Sequence, residues 1–343
     1  MTVRASGRTP LLLAALLPVL AACGEQRTPV NPRGVWRYGA AETDARPASG
    51  ATMGTVSAAG PETPAPAAPA AAPKAPAPSA VPAPPPPRAT DYKVVPVKDG
   101  GSVRALCRLT AAATLAPLSI FKDNDKGCGA KEHPSERAVF DAATLGLGGC
   151  VVSLRRIEAG KDWPEASKPD DRTFVLDQHG CVYVPHVGVV RTGTQMVVVN
   201  SDRADHNIHG FRLTLADTMF NFASEPGTRK DVQEAFIERP GAYPMKCDIH
   251  PWMSAYVIAV GHPYVDLTSA HADGTRKPGE AVLADVPPGD YEVECWHEGM
   301  TETPQLQDGR IAAYTYSPPF VEVQKVTVAP KAEATLEFKI PPK

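Results

Sequence analysis

The chain has 343 residues, with 35 basic side chains against 38 acidic ones and a formal net charge of -3. That near-balance leaves no basic stripe for nucleic acid. After residue 23, no run is long and apolar enough for a membrane segment. The length exceeds what one small β-domain needs, so more than one compact unit is expected.

In chain order, the first feature is Arg4 and Arg8 followed by the apolar run Leu11 to Ala22 and then Cys23. The apolar core is too short for a permanent span. Small residues before a cysteine are what a lipoprotein signal peptidase cleaves. Residues 1–22 therefore read as a signal peptide and Cys23 as the lipidated first residue of an exported protein. Gly24 after that cysteine resembles the bacterial lipoproteins that move on to the outer membrane, which places the chain on the periplasmic face of the envelope. Residues 23–90 carry few large apolar side chains, and Pro61 to Pro87 is nearly an alternation of proline and alanine. Such a stretch cannot bury enough surface to fold and reads as a disordered linker. At about 3.1 Å per residue its proline-rich part reaches on the order of 80 Å.

From residue 91 the texture changes to short β-branched runs punctuated by Gly, Pro, Asp and Asn. Cys150 to Leu154, Val182 to Val184, Gln195 to Val199, Ala255 to Val260 and Tyr291 to Cys295 are examples. Runs this short, closely spaced and without helical repeats, predict an all-β sandwich architecture. The divisions expected are an N-terminal β segment over 91–172, a central domain over 173–263 and a C-terminal β module over 264–343.

The central domain holds the chemistry. Cys247, His250 and Met253 stand at i, i+3 and i+6, so a strand ending at the cysteine delivers a thiolate and the loop after it returns an imidazole and a thioether. Zinc favours four Cys, His or carboxylate ligands. Two imidazoles and a thiolate with a weak axial thioether suit copper instead. The second imidazole comes from the stretch after the β run Met196 to Val199. His206 and His209 are three apart and point to opposite faces of an extended chain, so both are not expected on one metal. His206 is the chosen ligand, because Asn207 beside it can hydrogen-bond across to the ligand loop and hold the cysteine sulfur.

His206-Asn207 with Cys247-x-x-His250-x-x-Met253 resembles the cupredoxin family, closest to its plastocyanin and amicyanin type, and Pro240-Gly241-Ala242-Tyr243 resembles that family's strand entering the site. The resemblance covers roughly residues 173–263 and implies a Greek-key β-sandwich with one mononuclear copper near one end. Lys122 to Gly129 and Asp177 to Val187 look similar to segments of bacterial cupredoxin-like proteins with two cysteines at corresponding places, which implies a Cys128–Cys181 disulfide. Cys107 with Cys150 is then a possible second pair, leaving Cys295 as a small apolar core residue. His186 after Pro185 is a candidate second metal ligand, but it reads better as a hydrogen-bonded structural histidine. Val286 to Val293 with Trp296-His297-Glu298 resembles the carboxypeptidase regulatory-like sandwich. Gly101 to Leu106 looks like that fold's first strand, so the cupredoxin part would be inserted into a second, smaller β-sandwich. His297 and Glu298 read as a capped surface pair.

The function implied is a type 1 copper protein that carries single electrons and is not an enzyme. Its expected partners are a c-type cytochrome or a membrane reductase or oxidase, with the membrane met through the lipid anchor. His250 would be the exposed electron port. Beside it, Trp252 is either part of a docking patch or a core plug. The alternatives are a copper-binding or delivery protein without electron transfer and a metal-free β-sandwich binding module.

Overall fold

The computed structural model describes residues 92–115, 118–119, 125–128, 132–164, 173–212, 215, 217–232 and 239–342. The expected leader, Cys23 and the Pro/Ala linker lie outside the described residues. The fold is all-β, with two packed sandwiches, as the run lengths and turn residues predict.

The inner sandwich comes from one continuous stretch. Its strands are β3 (Thr173–His179), β4 (Val182–Val184), β5 (Val187–Arg191), β6 (Gln195–Asn200), β7 (His206–Phe211), β8 (Thr218–Ser224), β9 (Arg229–Val232), β10 (Gly241–Lys246) and β11 (Ser254–Val260). They form a four-stranded sheet, β9-β6-β3-β4, facing a five-stranded one, β8-β7-β10-β11-β5. The core between them gathers Leu176, Met196, Val198, Ile208, Tyr243, Met245 and Val257. Met196 and Val198 are two apart on β6, the spacing that puts both side chains on one face of a strand.

The outer sandwich takes strands from both sides of that stretch. β1 (Gly101–Leu109) lies between β13 (Glu280–Val286) and β18 (Glu333–Ile340). The second sheet runs β12 (Val265–Leu267), β2 (Val151–Leu154), β14 (Gly289–His297) and β17 (Phe320–Val328). Along β1 the residues Val103, Ala105, Cys107 and Leu109 are buried and alternate with half-exposed ones, the signature of a strand with one face in a core. Residues 173–260 are thus inserted between strands of a second sandwich. A hairpin of β15 (Glu302–Gln307) and β16 (Arg310–Tyr316) leaves this outer unit and lays Ile311, Tyr314 and Tyr316 against the inner core.

Cys107, Cys150 and Cys295 meet in the outer core as free thiols, with 3.5 Å between the Sγ atoms of Cys107 and Cys295. The possible Cys107–Cys150 disulfide is therefore absent, and Cys295 is buried as expected.

The two units share an apolar contact of Val151 and Trp296 with Val187 and Ile258. Beside it lies a buried ionic cluster. Arg137, 1% exposed, pairs with Glu298 at 2.6 Å and Glu302 at 3.3 Å, donates to Ser254 Oγ of β11 at 2.8 Å, and stacks on the Tyr316 ring. Glu298 also binds His186 of the inner unit. The expected surface location of His297 and Glu298 is thus wrong: both are buried, and Glu298 joins the two sandwiches. Sequence spacing concealed this because Arg137 and His186 arrive from segments far away in the chain.

Burial opposes a charge on His186, but the neighbouring Glu298 and Glu136 outweigh it and lift its pKa to about 9. A histidine raised above its ordinary value of 6.5 contributes its full stabilisation below that value and loses it as pH rises through about 9. We expect the melting temperature to fall as pH rises from about 7 to about 10, and the slope to flatten in His186→Gln. Glu298→Gln, which strips the partner from a buried cation, should cost on the order of 3 kcal/mol in urea unfolding at neutral pH.

Candidate metal centre

The two ligand-bearing segments reach one end of the inner sandwich by different routes. β7 opens at His206, whose side chain faces the core and is fully buried, while His209 on the opposite face is partly exposed. This is the alternation expected of an extended strand. β10 ends at Lys246, and the chain then folds back on itself. Met253 N–H donates to His250 O at 2.9 Å and Cys247 N–H to Met253 O at 3.2 Å, which turns the i, i+3, i+6 spacing into a closed loop. His250 N–H points at Cys247 Sγ, 3.4 Å away.

Three donor atoms converge as a result. His206 Nδ1 stands 2.7 Å from His250 Nδ1, which is 3.7 Å from Cys247 Sγ. The group His206, Cys247 and His250 is buried, its ligand atoms lie within 4.8 Å of one another, and it can hold a metal ion. Met253 is 1% exposed and lies, with Cys247, in the apolar core of the inner sandwich.

Asn207 braces the ligand loop. Its Oδ1 accepts the N–H groups of Asp248 at 2.6 Å and Ile249 at 3.3 Å, and the Cys247 thiol at 3.2 Å. Its own carbonyl is held from the facing sheet by Tyr183 Oη at 3.0 Å and Gln178 Nε2 at 3.1 Å. His209 stands apart from the donors. It bridges Asp248 and Thr218, while Asn221 donates to the same Asp248 carboxylate.

The disulfide that the resemblance implies is present, Cys128 to Cys181, closing 53 residues of chain. The carbonyl of Cys181 accepts the Trp252 indole N–H at 2.9 Å, so Trp252 is a buried plug in the ligand loop and not a docking patch. His250 departs from its expected role as an exposed port. It is 1% exposed, and its Nε2 is buried without a partner among the described residues, because the loop turns inward and packs its ring 5.0 Å from that of Trp252.

Asp202 was missed. Its carboxylate sits 2.9 Å from His206 Nε2 and also accepts the N–H groups of Gly180 at 2.6 Å and Cys181 at 2.8 Å. The only sequence signal was an acidic residue four before the histidine, which in a loop carries no directional meaning. Burial opposes protonation of His206, but its bonds to Asp202 and Cys247 prevail and raise its pKa to about 9. Burial and the neighbouring His206 drive His250 the other way, to about 4, so its ring is neutral at ordinary pH.

No protein-family profile matches the chain, and no curated protein matches it. Among solved structures it resembles a purple cupredoxin from Nitrosopumilus maritimus at 22% identity, over 25% of this chain and 98% of that one, with a TM-score of 0.22. A Cu(I) amicyanin aligns at 18% identity over 28% of this chain and 89% of that one, TM-score 0.24. A copper-containing nitrite reductase from Thermus scotoductus SA-01 aligns at 16% identity over 30% of this chain and 34% of that one, TM-score 0.23. At these scores the likeness carries no weight, and what the site can do follows from its side chains.

Two stability outcomes test the bracing. Asn207→Ala leaves the N–H groups of Asp248 and Ile249 without their acceptor and should cost about 1–3 kcal/mol, read as a lower urea midpoint at unchanged slope. Replacing Cys128 and Cys181 together by Ser frees the loop of 53 residues and should lower the unfolding free energy by roughly 4 kcal/mol.

Proposed function

We propose that the chain is an exported, membrane-anchored carrier of single electrons, built on one mononuclear copper held by His206, Cys247, His250 and Met253. The observation that carries this reading is the meeting of two imidazole Nδ1 atoms with one buried cysteine sulfur, with Met253 on the same loop. The donor set fits copper better than zinc, since a thioether is a poor partner for zinc and a suitable weak axial donor for copper.

The proton arithmetic points the same way. His206 Nε2–H donates to Asp202, which leaves Nδ1 to face the site. Without a cation the two Nδ1 atoms must share a proton between them, whereas a bound cation would accept a lone pair from each. A copper ion bound there would exchange one electron with little rearrangement. The residues contribute rigidity: a brace at Asn207, a carboxylate on His206 and an indole bond that pins the loop.

Lipidation at Cys23, the periplasmic side of the envelope and a redox partner such as a c-type cytochrome or a membrane reductase or oxidase belong to the same proposal. The outer sandwich is then a carboxypeptidase regulatory-like scaffold that carries the copper unit. Catalysis is not part of it, because Cys247 is flanked by Lys246 and Asp248 and not by a histidine that could relay electrons to a second centre. One observation favours a second reading. With His250 buried, its ring edge offers no open route for an electron, as suits a protein that holds or delivers copper without exchanging electrons.

Loading the protein with Cu(II) should produce an intense blue or green charge-transfer band, lost in Cys247→Ala and kept in His209→Ala. Rapid reduction and reoxidation by a periplasmic cytochrome supports the carrier, while a coloured site that refuses electrons supports delivery. A wild-type protein that stays colourless and takes up no copper returns the chain to the metal-free binding module.

A further inference from the structure

We propose that Asp202 is a positioning residue that sets the balance between Cu(II) and Cu(I) at the site, by holding a full negative charge against the far nitrogen of His206. This rests on the copper reading above.

The carboxylate is fixed by a built cradle. β3 and β4 are joined at Gly180 and Cys181, with φ of 65° and 56°. Two successive residues with positive φ make the tight hairpin turn whose twist matches the strands. Consecutive N–H groups in such turns can form an anion-binding concavity. Here both are directed at Asp202, Gly180 to Oδ1 and Cys181 to Oδ2. The same Oδ2 accepts His206 Nε2–H at 2.9 Å. Asn200 Oδ1 holds the backbone N–H of Asp202 at 3.0 Å, so the residue is tied at its main chain as well. Its side chain is 7% exposed and that of His206 is fully buried, so little water screens the pair.

The two imidazoles are therefore unlike. His206 has an anion on its outer nitrogen, which makes the ring a stronger electron donor through Nδ1. His250 has no partner on its outer nitrogen among the described residues. At a fixed distance an anion attracts a dication twice as strongly as a monocation. Asp202 accordingly favours Cu(II) and holds the reduction potential down.

The test uses the full chain and two readouts, the reduction potential and separate Cu(II) and Cu(I) competition titrations. Asp202→Asn keeps the shape and removes the charge. The Cu(II) affinity should drop about tenfold more than the Cu(I) affinity, which for one electron is a rise in potential of about 59 mV. Asp202→Glu retains the charge and should stay near the wild-type potential. Equal loss of both affinities in Asp202→Asn, or an equal rise in potential in Asp202→Glu, would show a structural tie and overturn the proposal. A wild type with its copper band and an unmoved potential in Asp202→Asn sinks this inference alone. A wild type that binds no copper removes the copper reading along with it.

Discussion

The peptide of Cys181 is where the candidate metal centre is held together. Its N–H meets Asp202, which carries His206; its carbonyl takes the indole of Trp252, which lies between His250 and Met253 on the ligand loop; its sulfur is bonded to Cys128. Two ligand segments that are 41 residues apart in sequence thus refer to a single tight turn. A donor group that must neither drift nor collapse when a metal enters or changes charge needs this kind of support, since the cost of a distorted site falls on affinity.

Asn207 supplies the complementary restraint. Its side chain satisfies the main chain of the ligand loop, and its carbonyl is gripped by Tyr183 and Gln178 from the opposite sheet. The brace therefore spans the sandwich, and the position of Cys247 depends on the packing of both layers. A buried polar network of this sort stabilises only when its members are paired. Among the described residues the exceptions here are the outer nitrogen of His250 and Gln178 Oε1.

The outer sandwich is more than a tether. It sends Glu298 and the β15–β16 hairpin onto the inner unit and shares Arg137 with Ser254 of β11, the residue next to Met253. Salt bridges this deeply buried cost solvation, so they are better read as fixing one arrangement of the two units than as a large net gain in stability. The insertion follows from β1 pairing with β13 and β18, strands that come after residues 173–260 in the chain.

Much was legible in the residues themselves. Short β-branched runs between turn residues established an all-β chain, because strand periodicity is a local property. The Cys247, His250 and Met253 spacing marked a chain segment that folds back on itself, because the three side chains lie within one short loop. Alternation along a strand separated His206 from His209. Only the tertiary structure could place Asp202 against His206, bury Glu298 between Arg137 and His186, gather three thiols in one core and turn His250 inward. Each of those depends on which segments meet across a sheet or between sandwiches. That is decided by the packing of layers whose members are distant in sequence, and no local pattern of residues encodes it.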